Sequence, residues 1–246
     1  MALALYTGGS NCASPGTALA SATSQSDGSY LFSGMAAGFD YVICETQPVA
    51  WANGNANGSA GSNTITITNL GAAGSSGNLF GELPGAIAGT VYLDANNNGS
   101  HDGGENGIAG VALTLTGTGV DASTISRTTT TDASGNFRFD DLPAATAAGY
   151  VLTEQSAQPS VTVLSSSVTT LNGITSAGTG AGTASGVNTT PSNINGIAVS
   201  AGAIVTGNLF AEVLPVSMSG RVFVDVANDG VFSGGTDSGI AGQTVT

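Results

Sequence analysis

The sequence predicts an all-β fold, and three observations carry that prediction. Helical periodicity is missing throughout, strand-like alternation recurs, and clusters of Gly, Asn, Ser and Asp interrupt the alternating runs at short intervals. Composition agrees with a folded chain. Hydrophobic residues make up 41% of the 246 residues, enough for a core, so the 8% charged content does not signal disorder. A chain of this length allows one large domain or two of ordinary size.

Taken in order, Thr64–Ile65–Thr66–Ile67–Thr68 alternates apolar and polar residues with period two, as a half-buried strand does. Val91–Leu93 is a short apolar strand that runs into an acidic loop. In Val111–Thr116, Val111, Leu113 and Leu115 fall on one face. Phe137–Arg138–Phe139 repeats the alternation. Thr and Val suit a pleated surface, and the scarcity of Lys, Glu and Leu-rich runs removes the usual helix formers. Two low-complexity stretches, Asn53–Asn63 and Ser176–Asn188, read as flexible surface loops or linkers. Short strands with turn residues between them suit a sandwich or barrel.

Charge excludes several partners. Sixteen acidic residues face three basic ones, all arginine (Arg127, Arg138 and Arg221), for a net charge of −13. Three scattered arginines cannot hold a phosphate backbone, so nucleic acid is excluded, and attraction to anionic membranes fails for the same reason. No apolar run approaches the roughly 18 residues of a spanning helix. Cys12 and Cys44 are too few for a disulfide framework; one bridge and two buried thiols both remain open.

An internal repeat sets the organisation. GTVYLDANNNGSHDGGENGIAG (Gly89–Gly110) returns as GRVFVDVANDGVFSGGTDSGIAG (Gly220–Gly242). DGSYLFSGMAAGFDYVICETQP (Asp27–Pro48) resembles ASGNFRFDDLPAATAAGYVLTEQSAQP (Ala133–Pro159), matching Gly28 to Gly135, Tyr41 to Tyr150 and Glu45 to Glu154. GNLFGE (Gly77–Glu82) returns as GNLFAE (Gly207–Glu212). The expected domains are therefore an incomplete sandwich at 1–85 lacking its first strands, a complete one at 86–214, and the first strands and loop of a further one at 215–246. The chain is then either a segment of a longer array or a unit that assembles head to tail. In the second case 216–246 would complete residues 2–85 of the next copy by strand addition, and such a contact propagates into a fibre.

The chemistry concentrates in the loop after Val91–Leu93. Asp94, Asn96, Asn98, Gly99 and Glu105 fill every specified position of the twelve-residue calcium pattern D-x-[DN]-x-[DN]-G-x5-E. Side-chain oxygens would come from Asp94, Asn96 and Asn98, followed by the Ser100 carbonyl. Asp102 would act directly or through water, and Glu105 would close the site. Calcium takes 6–8 oxygens, and this spacing offers oxygens without nitrogen or sulfur. The plainer alternative is an acidic Asn/Gly turn with no ion. In the second copy Asp225 and Asp229 remain, Ala227 replaces one ligand, and a one-residue insertion lets Asp237 stand for Glu105, with Asn228 a spare oxygen donor.

The pattern G-x-V-aromatic-x-D-x-N-x-N-G…E-x-G-I-x-G-V, continued by T-D-x-x-G-x-F-x-F-x-x-L-P and Y-x-x-x-E, resembles the B-type domains of serine-aspartate repeat adhesins (SdrD B-like), relatives of collagen-adhesin B-type domains. It runs from Gly89, Val91, Tyr92 and Asp94 through Glu105, Gly107, Ile108, Gly110 and Val111. It continues with Thr131, Asp132, Gly135, Phe137, Phe139, Leu142, Pro143, Tyr150 and Glu154. The resemblance covers 86–159 well and is weaker over 160–206. It implies a prealbumin-like or immunoglobulin-like β-sandwich, bound calcium, and service as a stalk on a cell surface. Many collagen-adhesin relatives carry a lysine–asparagine isopeptide bond; without lysine, none can form here. The family glutamate positions, Glu45 and Glu154, are then expected to be structural.

Catalysis has little support. His101, the only histidine, lies inside the proposed calcium loop as a solvent-facing spacer, and no Cys–His pair or zinc spacing is present. Asp140 and Asp141 are adjacent and would point to opposite faces of a strand. Trp51 reads as a packing residue, with a sugar platform as its rival role. The expectation is a non-enzymatic, extracellular, calcium-stabilised tandem array whose partners are copies or neighbouring domains. The alternative is an adhesive module for a host, matrix or carbohydrate ligand.

Overall fold

The computed structural model describes residues 1–155, 159–185 and 189–245, and every regular element in it is a strand. The chain forms two compact units, Met1–Leu214 and Pro215–Thr246.

The first unit contains two separate hydrophobic cores. Around the first lie β1 (Ala2–Thr7), β2 (Ala20–Thr23), β3 (Tyr41–Glu45), β4 (Ala52–Ala56), β5 (Ser59–Ala60), β6 (Thr64–Ile67) and β7 (Phe80–Leu83). They make a four-stranded sheet in the order β2-β1-β3-β6 and a three-stranded sheet β5-β4-β7. Alternation in β1 buries Leu3 and Leu5, which pack with Tyr41, Ile43 and Ile65. Tyr30, Phe32 and Phe80 close this core from the other side and stay partly open. Cys12 and Cys44 are bridged, which ties a long loop to β3 and settles the two states left open by the sequence.

Residues 53–63 are not a flexible loop. Up to Ala60 they form β4, β5 and the turn between them, with Asn55 opposite Ala60 and Ala56 opposite Ser59. Asn57 and Gly58 both take positive φ (45° and 87°), the backbone of the tight primed turn that favours Asn-Gly. The dipeptide was the signal, masked by the surrounding Gly, Asn and Ser.

The second core is larger. Its strands are β8 (Gly85–Leu93), β9 (Ala112–Thr118), β10 (Thr124–Thr130), β11 (Asn136–Leu142), β12 (Tyr150–Glu154), β13 (Ser160–Val163), β14 (Ser166–Thr169), β15 (Leu171–Ser176), β16 (Thr183–Ala184), β17 (Asn193–Ile197) and β18 (Ile204–Val213). One sheet runs β11-β8-β18-β15 and the other β10-β9-β12-β17-β16. Ile87, Val91, Phe137 and Phe210 from the first sheet share one core with Leu113, Leu115, Leu152 and Ile194 from the second, so the architecture is a β-sandwich. Each such side chain contributes about 1.5–3 kcal/mol by burial. Within the first sheet β8 is central: β11 pairs with it antiparallel and β18 parallel. The hairpin β13–β14 carries a fully exposed Leu164 at its tip. Of the second stretch read as a loop, Thr183–Ala184 pairs with β17, while Gly186, Val187 and Asn188 lie outside the described residues.

The strands around the first core repeat this plan. The order β2-β1-β3-β6 corresponds to β10-β9-β12-β17, and β4-β7 to β15-β18. Pairing agrees in detail: Asn53 faces Glu82 as Asn172 faces Glu212, and Tyr41 faces Ile67 as Tyr150 faces Ile197.

In the second unit, β19 (Phe223–Val224) pairs with β20 (Ser238–Gly239). Phe223 and Phe232 meet edge to face at 5.3 Å, and the Arg221 guanidinium lies 4.4 Å above the Phe232 ring.

Candidate metal loops and buried glutamate pairs

The loop after β8 is held by its own backbone amides, most of them aimed at the candidate side-chain oxygens. Asp94 accepts from Asn98 N at 3.2 Å and Gly99 N at 2.8 Å. Asn96 Oδ1 accepts from Asn98 N, and Asn98 Oδ1 from Ser100 N. Glu105 spans the loop, taking Ala95 N on one oxygen at 2.8 Å and Asp102 N on the other at 2.9 Å. The side-chain amides of Asn96 and Asn98 both donate to Asp102 Oδ2, which holds the Asp102 carboxyl below the usual carboxylate range. Gly99 is required twice: its φ is +74°, and a Cβ there would press on Ile174.

Six of the expected ligand residues are thus brought into one turn. Among the described residues, no three Asp, Glu, His or Cys side chains come together as a metal site, and the Asn96 and Asn98 amides lie against Asp102. The donor set suits a hard cation, since three carboxylates and the Asn and backbone oxygens share one loop. Tyr92 supports the same loop from below. It is fully buried, its hydroxyl has no partner, and burial followed by the charges of Asp94, Glu105 and Asp102 pushes its ionisation up. His101 is exposed but is more than a spacer: its ring packs on Tyr92 with centroids 4.7 Å apart, and its Nε2 lies 3.1 Å from the Glu105 carbonyl.

The second loop copies this network. Asp225 accepts from Asp229 N and Gly230 N, which hold its carboxyl low, the Gly230 bond contributing most. Asp237 accepts from Val226 N and Ser233 N, the counterparts of Ala95 and Asp102, so it occupies the place of Glu105. Asp229 Oδ1 takes Val231 N as Asn98 takes Ser100 N. Asn228 stands where Asn97 does, with the same left-handed backbone (52° and 54°).

A second polar feature escaped the reading of the sequence. Glu154 and Glu212 are both completely buried, and each perturbs the ionisation of the other. Ser192 Oγ donates to Glu154 at 2.7 Å and Thr170 Oγ1 to Glu212 at 2.6 Å. One oxygen of each carboxyl has no hydrogen-bond partner, and a proton on the pair would let one carboxyl donate to the other. Burial first, and then the Glu154 charge, pushes Glu212 up to about 8; burial also raises Glu154. Glu45 and Glu82 repeat the pair in the first core, with Gln47 Nε2 donating to Glu82 at 2.6 Å and Glu45 raised to about 7 by burial and then by Glu82. The signal was present: each glutamate of each pair lies in a repeated segment.

Asp140 and Asp141 do not form a site. Asp141 has φ +53° at a bulge in β11, and the backbone carbonyls of both accept from Arg127. Trp51 is half-buried, and its carbonyl accepts from Gln47.

The architecture defines a class, a two-sheet β-sandwich repeat with an acidic Asn/Gly loop after its first strand. Residues 85–203 match the sequence model of the SdrD B-like domain. No curated protein matches the chain. Solved structures show distant likeness. The Bacillus anthracis TIE protein aligns over 86% of this chain at 12% identity, with a TM-score of 0.35. BcpA, the major pilin subunit of Bacillus cereus, aligns over 71% at 11% identity and 0.33. The shaft pilin SpaA of Lactobacillus rhamnosus GG aligns over 89% at 10% identity and 0.29, covering 86% of that pilin. The alignments span 30% of the TIE protein chain and 63% of BcpA.

Proposed function

We propose that this chain is part of an extracellular structural protein, a tandem array of calcium-stabilised B-like sandwiches that serves as a cell-surface stalk or filament. Its domains are read as 1–85, 86–214 and the opening of a further one at 215–246. The observation that carries the calcium reading is the Asp94–Glu105 loop, an oxygen-rich turn already wound by its own amides. Asp94, Asn96, Asn98, the Ser100 carbonyl, Asp102 and Glu105 would hold the ion, and Asp225, Asp229 and Asp237 would form a smaller second site. A bound dication would offset three clustered carboxylates in a chain of net charge −13 and stabilise the fold by mass action.

The test is a melting curve with calcium against EDTA, together with isothermal titration. Calcium is expected to raise the melting temperature and to protect Asp94–Glu105 from proteolysis. Asp94→Asn is expected to abolish both effects. Identical curves with and without the ion would remove calcium from the proposal. An adhesive role needs an exposed aromatic or apolar ligand surface. Trp51 is half-buried beside β4.

A further inference from the structure

The first core has a counterpart for every strand of the first sheet except β8. In the complete sandwich β8 lies between β11 and β18. The matching flanks in the first core are Tyr30–Ser33 and Asn78–Leu83. The aromatic trio is already in place: Tyr30 meets Phe32 at 5.9 Å and Phe80 at 6.4 Å, as Phe137 meets Phe139 at 6.4 Å and Phe210 at 6.1 Å. Yet Tyr30–Ser33 pairs with no strand, and β7 is bonded along one side only, to β4. Between Tyr30–Phe32 and the segment 73–79 that leads into β7 runs a groove of about 630 Å³, lined also by Leu5, Ile43, Ile67 and Leu70.

Outside Met1–Leu214 the sequence holds one segment that aligns with β8. Gly220, Val222 and Val224 correspond to Gly89, Val91 and Leu93. Val222 and Val224 are 41% and 49% exposed, whereas Val91 is fully buried.

Two glycines sharpen the match. In the complete sandwich a Cβ on Gly89 would overlap the Asn208 carbonyl and the Phe137 ring, and one on Gly107 would overlap the Ser134 carbonyl. Their counterparts, Gly220 and Gly239, have nothing within 4 Å, and neither has a positive φ. Nothing in their own unit requires glycine. The groove would: Gly220 would lie against Asn78 and Tyr30, and Gly239 against the turn at Asp27–Gly28.

We infer that this groove is an acceptor for the strand at 217–225 of a second copy of the chain. The strand lies antiparallel to Tyr30–Ser33, with Gly220 opposite Tyr30, and parallel to β7, with Val222 beside Phe80. Both flanks gain backbone partners, and Val222 and Val224 leave water. The contact joins different surfaces of the two copies, so it propagates into a filament. This deepens the array reading proposed above, and the calcium response is a separate readout of that reading.

The experiment is sedimentation velocity of the full chain across a concentration series, with a synthetic peptide of residues 216–226 as competitor. Wild type is expected to form growing oligomers, and the peptide to cap them. Gly220→Val and Gly239→Val, each at an open position, are expected to remain monomeric with unchanged circular dichroism and unchanged calcium response. A peptide carrying the Gly220→Val change is expected not to compete. A wild-type chain that stays monomeric, or valine variants that assemble as wild type does, would overturn the inference while leaving the calcium-stabilised sandwich untouched.

Discussion

Glu154 and Glu212 place two acids in a buried site with two hydroxyl donors and one unpartnered oxygen each, an arrangement that favours a proton on the pair. In the unfolded chain both carboxyls return to ordinary carboxyl behaviour. The folded state therefore binds more protons, and stability from this source is full below the ordinary carboxyl range. It is lost as pH rises through about 7 for Glu45 and about 8 for Glu212. Each proton that must leave costs about 1.4 kcal/mol per pH unit, so the melting temperature is expected to fall by several degrees between about pH 5.5 and 8.5. Asp121 and Asp132 act oppositely. Hydrogen bonds to Ser123, and to the backbone of Asn136 and Ser134, hold them low, so their contribution is lost only in acid. Glu212→Gln keeps a donor toward Glu154 and removes one titration. Melting curves across this range are expected to flatten in that variant, and an unchanged slope would refute proton sharing.

At the scale of the element, β8 orders the sandwich around the second core. It buries Ile87 and Val91 on the core side, pairs with two neighbours, and hands its last residue to the acidic loop, where Asp94 N donates to the Glu212 carbonyl at 2.8 Å. Gly89→Ala forces a methyl against the Asn208 carbonyl, a backbone atom that cannot swing aside. A loss of about 3 kcal/mol is expected, comparable to Leu115→Ala in the opposite sheet and readable by urea titration. Much of this element was legible in the sequence, because the alternation at Val111–Thr116 and Phe137–Phe139 and the repeated G-x-V-aromatic pattern are local signals. The acidic loop was equally legible, since its ligand positions share twelve consecutive residues. The turn at Asn57–Gly58 was obscured by low-complexity neighbours. The glutamates were legible only as repeated positions; their pairing was not, because Glu154 and Glu212 are 58 residues apart and only the fold brings them together.

At the scale of the whole molecule, the first unit's two cores share no residue: one is built from Leu3 to Phe80, the other from Ile87 to Phe210. They also rest on different supports. The Cys12–Cys44 bridge, closing 32 residues, belongs to the first core alone. Chain-entropy arguments assign such a loop about 3–4 kcal/mol. The acidic loop Asp94–Glu105 is joined to the second core through β8. Calorimetry is therefore expected to resolve two transitions with separate sensitivities. Reduction, or Cys12→Ser with Cys44→Ser, should lower one of them and leave the other in place. Calcium, on the proposed reading, should raise the transition that reduction spares. If both treatments move a single common transition, the two cores unfold as one cooperative body, and the proposed division at residue 85 does not hold.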